Sequence, residues 1–193
     1  MDIYGEKRSE LESLADSLLG AIRDYRKSAT GEDGDDPVEH VEYRIKSDES
    51  MREKLRRKGL KETVENALTQ VHDAMGIRVV CSFLRDVYAV RDYLVSLPGF
   101  SVAEEKDYIR HVKPNGYRSY HLILKCPGDL YAEVQIRTIS MDTWAALEHH
   151  LKYKKNLHGN SDLIVSELKR LADELASTDL SMQTIRDMIY AGE

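Results

Sequence analysis

Four groups of residues have types and spacings that could do chemistry. The first is Arg44-Ile45-Lys46, followed by Arg52, Lys54, Arg56 and Arg57. From 44 to 61 there are eight Lys or Arg against three Asp or Glu. A triphosphate needs several cations at different angles, Arg giving bidentate contacts and Lys a point charge. Taken alone, the cluster is better described as a solvated basic helix face. The second and third are Asp73, just before a Val/Ile-rich run, and Glu133, on the polar side of an alternating run. Two carboxylates at neighbouring strand ends could hold Mg²⁺, which takes oxygen ligands and keeps waters and phosphates in its shell. Spacing alone does not separate them from solvated carboxylates. The fourth runs from Lys113 to His121. Pro114-Asn115-Gly116 marks a turn and delivers Tyr117 between Lys113, Arg118 and His121. A tyrosine ring can stack on a purine while nearby cations meet its phosphates; an ordinary turn before a strand fits the residues equally well.

The elements that must hold these groups follow from periodicity. Leu11, Leu14, Leu18 and Ile22, with Ala15 and Leu19, predict an amphipathic first helix. The acidic Gly/Asp segment Thr30–Pro37 ends it as a loop. Ser47–Gly59 reads as a helix with Gly59 as its stop, and Lys61–His72 as a second helical stretch. Ile77–Phe83 predicts a strand with Ile77, Val79, Cys81 and Phe83 on one face and Arg78 on the other. Asp86–Leu97 predicts a helix ended by Pro98-Gly99, and Phe100–Tyr108 an edge strand. Tyr120–Cys126 and Tyr131–Arg137 predict a hairpin across Pro127-Gly128-Asp129. In its second strand Ala132, Val134 and Ile136 alternate with Glu133, Gln135 and Arg137. Met141, Trp144, Leu147 and Leu151 predict a buried helical stripe. After a polar break at Asn156–Ser161, Ile164, Leu168, Leu171 and Leu175 share one helical face, and Met182, Ile185, Met188 and Ile189 extend the apolar pattern. The expected architecture is α+β, a mixed central sheet flanked by helices.

Length and composition bound the rest. A chain of 193 residues fits one domain with its own core. The expected organisation is a core over about 41–155, flanked by an N-terminal helix at 9–28 and C-terminal helices at 161–191. The net charge of −6 argues against bulk nucleic-acid binding, yet leaves room for a small anion in a basic pocket. Two cysteines, Cys81 and Cys126, each inside an apolar run, read as small buried hydrophobes. No long apolar stretch predicts a membrane span, and the charged N-terminus lacks a signal-peptide core. Cytoplasmic residence is the expectation.

Together the clusters resemble the synthetase domain of RelA/SpoT-type GTP pyrophosphokinases, above all the stand-alone small alarmone synthetases. The resemblance runs from about Val41 to Lys154. It is carried by Arg44-Ile45-Lys46-Ser47, Asp73-Ala74-Met75-Gly76-Ile77-Arg78-Val79-Val80, Lys113 to His121, Glu133-Val134-Gln135-Ile136-Arg137-Thr138, and Met141-Asp142-Thr143-Trp144-Ala145 through Glu148-His149. Several motifs in one order outweigh the bland readings of the basic cluster and the carboxylates. His72-Asp73 also resembles the dipeptide of metal-dependent phosphohydrolases, with His40 upstream, but no second supporting motif is present.

The resemblance implies transfer of the β,γ-pyrophosphate of ATP to the 3′-hydroxyl of GTP or GDP, giving AMP and pppGpp or ppGpp in stringent-response signalling. It implies a nucleotidyltransferase-like fold, without the hydrolase and regulatory domains of the long enzymes. Asp73 becomes the principal Mg²⁺ ligand, and Glu133 a second ligand or the base for the hydroxyl. Arg44, Lys46 and Lys54 become ATP-phosphate contacts and Arg78 a further phosphate or adenine contact. Tyr117 becomes the guanine-stacking ring; Lys113 and His121 meet the acceptor's phosphates and ribose. Asp142 stands where many small members carry Asn at the guanine base. An ionised carboxylate only accepts, so it could pair with guanine N1–H and N2–H₂; a helix-start Asp is the plain alternative. Related enzymes that use adenine-nucleotide acceptors leave acceptor identity open. A catalytically silent nucleotide- or RNA-binding regulator is the competing class, and the presence of both Asp73 and Glu133 argues against it. Homo-oligomers, commonly tetramers, are also implied; some relatives bind alarmone or single-stranded RNA at a central cleft, so a regulatory RNA or alarmone is a candidate partner, and no residues in this sequence secure that regulation.

Overall fold

Alternation decides the sheet. The computed structural model describes residues 2–31, 34–153 and 161–191. Within them the elements are α1 (Lys7–Ala29), β1 (Val38–Ile45), α2 (Asp48–Arg57), α3 (Val64–Thr69), β2 (Met75–Cys81), α4 (Leu84–Val95), β3 (Ser101–Asp107), β4 (Tyr120–Cys126), β5 (Leu130–Thr138), α5 (Ile139–Tyr153) and α6 (Ser161–Ala191). The five strands form one mixed sheet in the order β1-β2-β5-β4-β3. β2 and β5 run parallel; the other neighbours are antiparallel. This is the expected α+β architecture.

One face of the sheet is apolar. Ile77, Val79, Cys81, Leu122, Leu124, Ala132, Val134 and Ile136 are buried there, with Leu11, Leu14, Leu18 and Ile22 of α1 and Val87, Val90 and Leu94 of α4 in the same core. Burying each Leu or Ile of this kind stabilises the fold by ~1.5–3 kcal/mol. Because side chains alternate, the residues between them all point to the opposite face. There the cross-strand register lines up Glu42, Arg78, Gln135, His121 and Lys106 in one row, and Arg44, Gly76, Glu133, Ile123 and Glu104 in the next.

The connections follow local chemistry. Ser47 caps α2, its hydroxyl accepting the Ser50 N–H at 3.3 Å. Gly59, at φ 70°, ends α2 with Gly59 N–H to Arg56 C=O and Leu60 N–H to Leu55 C=O, a Schellman stop. The hairpin β4–β5 turns at Pro127–Asp129 as expected. Both cysteines are buried free thiols, and burial pushes Cys126 up to about 12.

Three expectations change. β1 was not anticipated: Val38–Ile45 carries Glu39, His40, Glu42 and Arg44 and is mostly exposed, since it is an edge strand held by its backbone pairing to β2. On α5 Met141 and Trp144 are buried, but Leu147 and Leu151 are 58% and 42% exposed. The inward position one turn on is Glu148, which accepts from the Asn115 amide at 3.2 Å. On α6 Leu171 is exposed and Ala172 buried instead. The polar break, apart from Ser161, lies outside the described residues, as do Glu32 and Asp33 of the acidic loop.

Arg26 near the end of α1 grips Asp36 with Nε and Nη2 at 2.9 and 2.6 Å, and Asp36 Oδ1 accepts the Val38 N–H at 2.9 Å. The pair fastens α1 to the start of β1. Burial pushes the Asp36 carboxyl up, but Arg26 and the Val38 N–H outweigh it and hold it below the usual carboxylate range. The stabilisation is therefore present above that range and is lost as pH falls through the depressed value. Asp36→Asn should lower the thermal midpoint at neutral pH by ~2–4 °C, taking about 1 kcal/mol for a pair one-third exposed. Calorimetry should show the gap between parent and variant closing in acid; a gap independent of pH would exclude this ion pair as its cause.

Candidate active site

The polar face of the sheet is built around two carboxylates that sit between cations. Asp73, in the short link from α3 to β2, receives Lys54 Nζ from α2 at 2.5 Å and Lys46 Nζ at 3.2 Å, both on Oδ2. Its other oxygen, Oδ1, is buried and has no hydrogen-bond partner. Burial pushes the Asp73 carboxyl up, and the two ammonium groups outweigh it, so it stays below the usual carboxylate range. The link that places Lys46 is rigid: its N–H bonds Ala74 C=O at 2.8 Å and its C=O accepts the Tyr4 hydroxyl at 2.8 Å.

Glu133 is placed by β5. Its Oε1 lies 3.1 Å from His121 Nδ1 and its Oε2 accepts the Gln135 amide at 3.2 Å. Burial and Asp73 push its pKa up; His121 and Gln135 prevail, and the group is held below its ordinary value. Both carboxylates are therefore ionised at neutral pH.

Two clefts meet at this pair. One is lined by Arg44, Lys46, Gly76, Arg78 and Gln135 together with Asp73 and Glu133. The other is lined by Lys54, Lys58, Lys106, His72 and His121, again with Asp73 and Glu133. Gly76 lies between Arg44 and Glu133 in the register, and a Cβ there would meet nothing within 4 Å. The missing side chain leaves the floor of the first cleft open. Two polyanions could occupy such a site side by side, with a carboxylate pair at their junction.

The remaining expected residues fall at the rim. Tyr117 donates or accepts at His121 Nε2 over 2.8 Å. Lys113 Nζ sits 4.9 Å from the Tyr117 ring centroid and 4.3 Å from that of Tyr108, a cation–π clamp. Arg78 pairs with Glu42 at 3.2 Å and approaches Asp142 at 3.5 Å. Asp142, in the first turn of α5, is gripped by Arg137 at 3.0 Å.

Some expected cations are elsewhere. Arg52 pairs with Asp48 and Glu62, and Arg56 with Glu62, while Arg57 is exposed. Arg118 turns away from the acceptor side to Gly116 C=O at 3.1 Å and Asp173 at 2.7 Å. His72 stacks on Tyr131 at 4.0 Å, and among the described residues no group of three or more His, Cys, Asp or Glu could hold a metal. The phosphohydrolase ligand set is thus missing from them. Sequence reasoning passed over Arg137, which is 5% exposed and bonds Tyr117, Gln135 and Asp142. The signal available was its place in the alternation of Glu133, Gln135 and Arg137.

Comparison with known proteins gives the site a context. The family model described as the region found in RelA / SpoT proteins matches residues 43–158. GTP pyrophosphokinase YwaC of Bacillus subtilis is 42% identical over 160 residues, covering 79% of this chain and 76% of that protein. The crystal structure of small alarmone synthetase 2 from Bacillus subtilis superposes with a TM-score of 0.81 at 37% identity, covering 94% of this chain and 98% of that one. Small alarmone synthetase 1 from Bacillus subtilis, bound to its product pppGpp, gives 0.77 at 31% identity, covering 95% and 94%.

The loop that carries Tyr117 is held from outside the sheet. Gly116 has φ 91°, and a Cβ there would lie 2.7 Å from Ala172 Cβ and 3.1 Å from Lys169 Cα of α6. Gly116→Ala should cost about 1–3 kcal/mol through overpacking and positive-φ strain, seen as a lower thermal midpoint. Adding Ala172→Gly should recover the part of the steric cost due to the Ala172 Cβ, less the cost of a glycine inside α6, and leave the Lys169 backbone contact and the φ share. A single variant as stable as the parent would show that α6 does not press on the loop.

Proposed function

The chain belongs to the RelA/SpoT family, and from that premise we propose that it is a GTP pyrophosphokinase of the small alarmone synthetase type. It transfers the β,γ-pyrophosphate of ATP to the 3′-hydroxyl of GTP or GDP, releasing AMP and forming pppGpp or ppGpp. The observation that carries this reading is the pair of clefts sharing Asp73 and Glu133 as a common wall.

The first cleft suits the donor. Arg44, Lys46 and Arg78 line it, and Lys54, which lines the second cleft, joins Lys46 on Asp73 at the boundary; these cations meet the triphosphate. The second suits the acceptor: His121 lines it, and Tyr117 and Lys113 stand beside His121. Tyr117 stacks on guanine while Lys113 and His121 meet phosphate and ribose. Asp142, an acceptor only when ionised, favours the N1–H and N2–H₂ edge of guanine over adenine. The 3′-oxygen attacks the β-phosphorus, the Pα–O–Pβ bond breaks with its bridging oxygen leaving on AMP, and the hydroxyl proton passes to Glu133. Positioning and charge supply most of the acceleration.

Mg²⁺ fits the carboxylates present. Asp73 Oδ1 is a buried oxygen without a partner, whereas both Glu133 oxygens receive hydrogen bonds. Mg²⁺ is commonly held by one or two carboxylates with substrate phosphates. Asp73 is therefore the principal ligand, and Glu133 would be the base rather than a full ligand. When bound, the ion would offset phosphate charge and polarise the phosphorus under attack. Asp73 and the lysines orient the donor, and Glu133 with His121 holds the acceptor hydroxyl.

A homo-oligomer, with the tetramer of small synthetases as the specific form, is supported by the outer faces of α5 and α6. Leu147, Leu163, Leu180, Met188 and Ile189 are all 58% exposed or more, and apolar surface of this kind marks interfaces. Among the described residues no helix is long and apolar enough to cross a membrane, and cytoplasmic residence remains the proposal.

Incubation with ATP, Mg²⁺ and GTP, GDP or a second ATP as acceptor, read by nucleotide chromatography, tests the activity. AMP together with a more phosphorylated guanosine is expected; no AMP release would remove the enzyme reading, and a product from ATP alone would remove the guanine preference. Asp73→Asn and Glu133→Gln should each remain folded and lose on the order of 10²–10³ in rate. The Mg²⁺ requirement should rise in Asp73→Asn and stay unchanged in Glu133→Gln. A raised requirement in both would make Glu133 a ligand.

A further inference from the structure

Among the described residues Arg137 is the one buried cation of the polar sheet face, and its contacts close a ring. Nη2 donates to the Tyr117 hydroxyl at 2.7 Å and to Gln135 Oε1 at 2.8 Å. Tyr117 then meets His121 Nε2, and His121 Nδ1 meets Glu133 Oε1. On the other side Gln135 Nε2 meets Glu133 Oε2. Both oxygens of Glu133 are thus reached from one guanidinium nitrogen by two separate paths. Nη1 meanwhile holds Asp142, and Nε lies 3.4 Å from the Ser119 hydroxyl.

The ring has a forced direction. Arg has donors and no acceptor, so the Tyr117 oxygen accepts from Arg137 and is free to donate its own proton onward. A carboxylate only accepts, so Glu133 takes its hydrogen bond from Nδ1–H of His121. In the neutral imidazole that leaves Nε2 as acceptor, which the tyrosine hydroxyl satisfies. The same logic orients Gln135: its oxygen faces the guanidinium and its amide faces Glu133. With either a neutral or a charged imidazole, Nδ1–H faces Glu133 and the other groups keep their places, which is the condition for a rigid polar network.

We propose that Arg137 is a positioning residue for pyrophosphoryl transfer, fixing the Glu133 carboxylate, the His121 tautomer and the Tyr117 ring through this closed ring. The inference rests on the reading of Glu133 as the carboxylate that faces the acceptor hydroxyl. It goes further in naming a residue that lines neither cleft and still sets the geometry at their junction. Through Asp142 the same guanidinium is also linked to Arg78 on the donor side. Lysine cannot replace it: an ammonium is a point charge without the planar fork.

Two measurements test it. In protein labelled with ¹⁵N-histidine, long-range ¹H–¹⁵N correlations assigned through His121→Gln should show a proton on Nδ1 of His121. A proton on Nε2 with none on Nδ1 would overturn the ring, whatever the enzyme does. In kinetics, Arg137→Met and Arg137→Lys should each lower kcat by about 10–100-fold, the scale of outer-shell partners, with KM for ATP unchanged and the Nδ1–H signature lost. Arg137→Lys keeps the charge beside Asp142, so it carries the test if the Met variant does not fold. A Lys variant with parental kcat would overturn the proposal. If the parent itself releases no AMP, the activity reading fails, and the tautomer still decides whether the ring exists.

Discussion

The parallel pairing of β2 with β5 is the constraint on which the site depends. It sets Gly76 beside Glu133 and Arg78 beside Gln135, two strands that are far apart in sequence. A slip of β5 by one residue would send Glu133 into the apolar core and Val134 to the cleft. The burial of Ile77, Val79, Val134 and Ile136 at 2% exposure or less therefore sets the chemistry on the far side. The residues that fill the core never touch a nucleotide, yet they decide which side chains can.

Charge on this face is arranged against its own surroundings. Asp73 and Glu133 are pushed toward neutrality by burial and, in the case of Glu133, by its like-charged neighbour; cations and hydrogen bonds overcome both. Two lysines on one carboxylate leave excess positive potential for a phosphate chain, although the whole chain carries −6. Net charge therefore describes the molecule's solubility and long-range field, while the local ratio of cations to carboxylates describes the site. Away from the site, carboxylates serve structural ion pairs such as Arg91 with Glu105 and Arg186 with Asp35 and the buried Asp86.

What could be read from the chain was whatever obeys a period. The core strands β2, β4 and β5 alternate cleanly, and Gly59 and the 127–129 turn punctuate as local chemistry requires, so the sheet and the placement of Asp73 and Glu133 were legible. β1 was not: its alternation of Val41, Tyr43 and Ile45 with Glu42 and Arg44 is short, only half-buried and interrupted by the register shift between Val38 and His40. The α5 stripe was read one position out: Trp144 and Met141 face inward, but the next inward place belongs to Glu148, because Asn115 of the turn offers it a hydrogen bond. Arg118 looked like a ligand cation and serves as a strut to α6; Arg137 looked like an ordinary polar-face residue and joins three site side chains. Partner choice by a long side chain is a tertiary fact, and residue type alone does not contain it.

The two halves of the site are held by different physics. Donor-side residues sit on paired strands and on α2, whose backbone bonds are satisfied within the sheet and helix. The acceptor loop, Lys113–Tyr117, instead leans on α6: Gly116 lies under Ala172, Arg118 reaches Asp173, and Asn115 holds Glu148 of α5. α5 and α6 are also the helices with exposed apolar outer faces. A contact that covers those faces would restrain the same helices that shape the acceptor loop, and through Asp142 of α5 it would also reach Arg78 on the donor side. Coupling of assembly to activity would therefore act first on the acceptor loop, which leans on α5 and α6 at Asn115, Gly116 and Arg118, and on the donor side through a single ion pair.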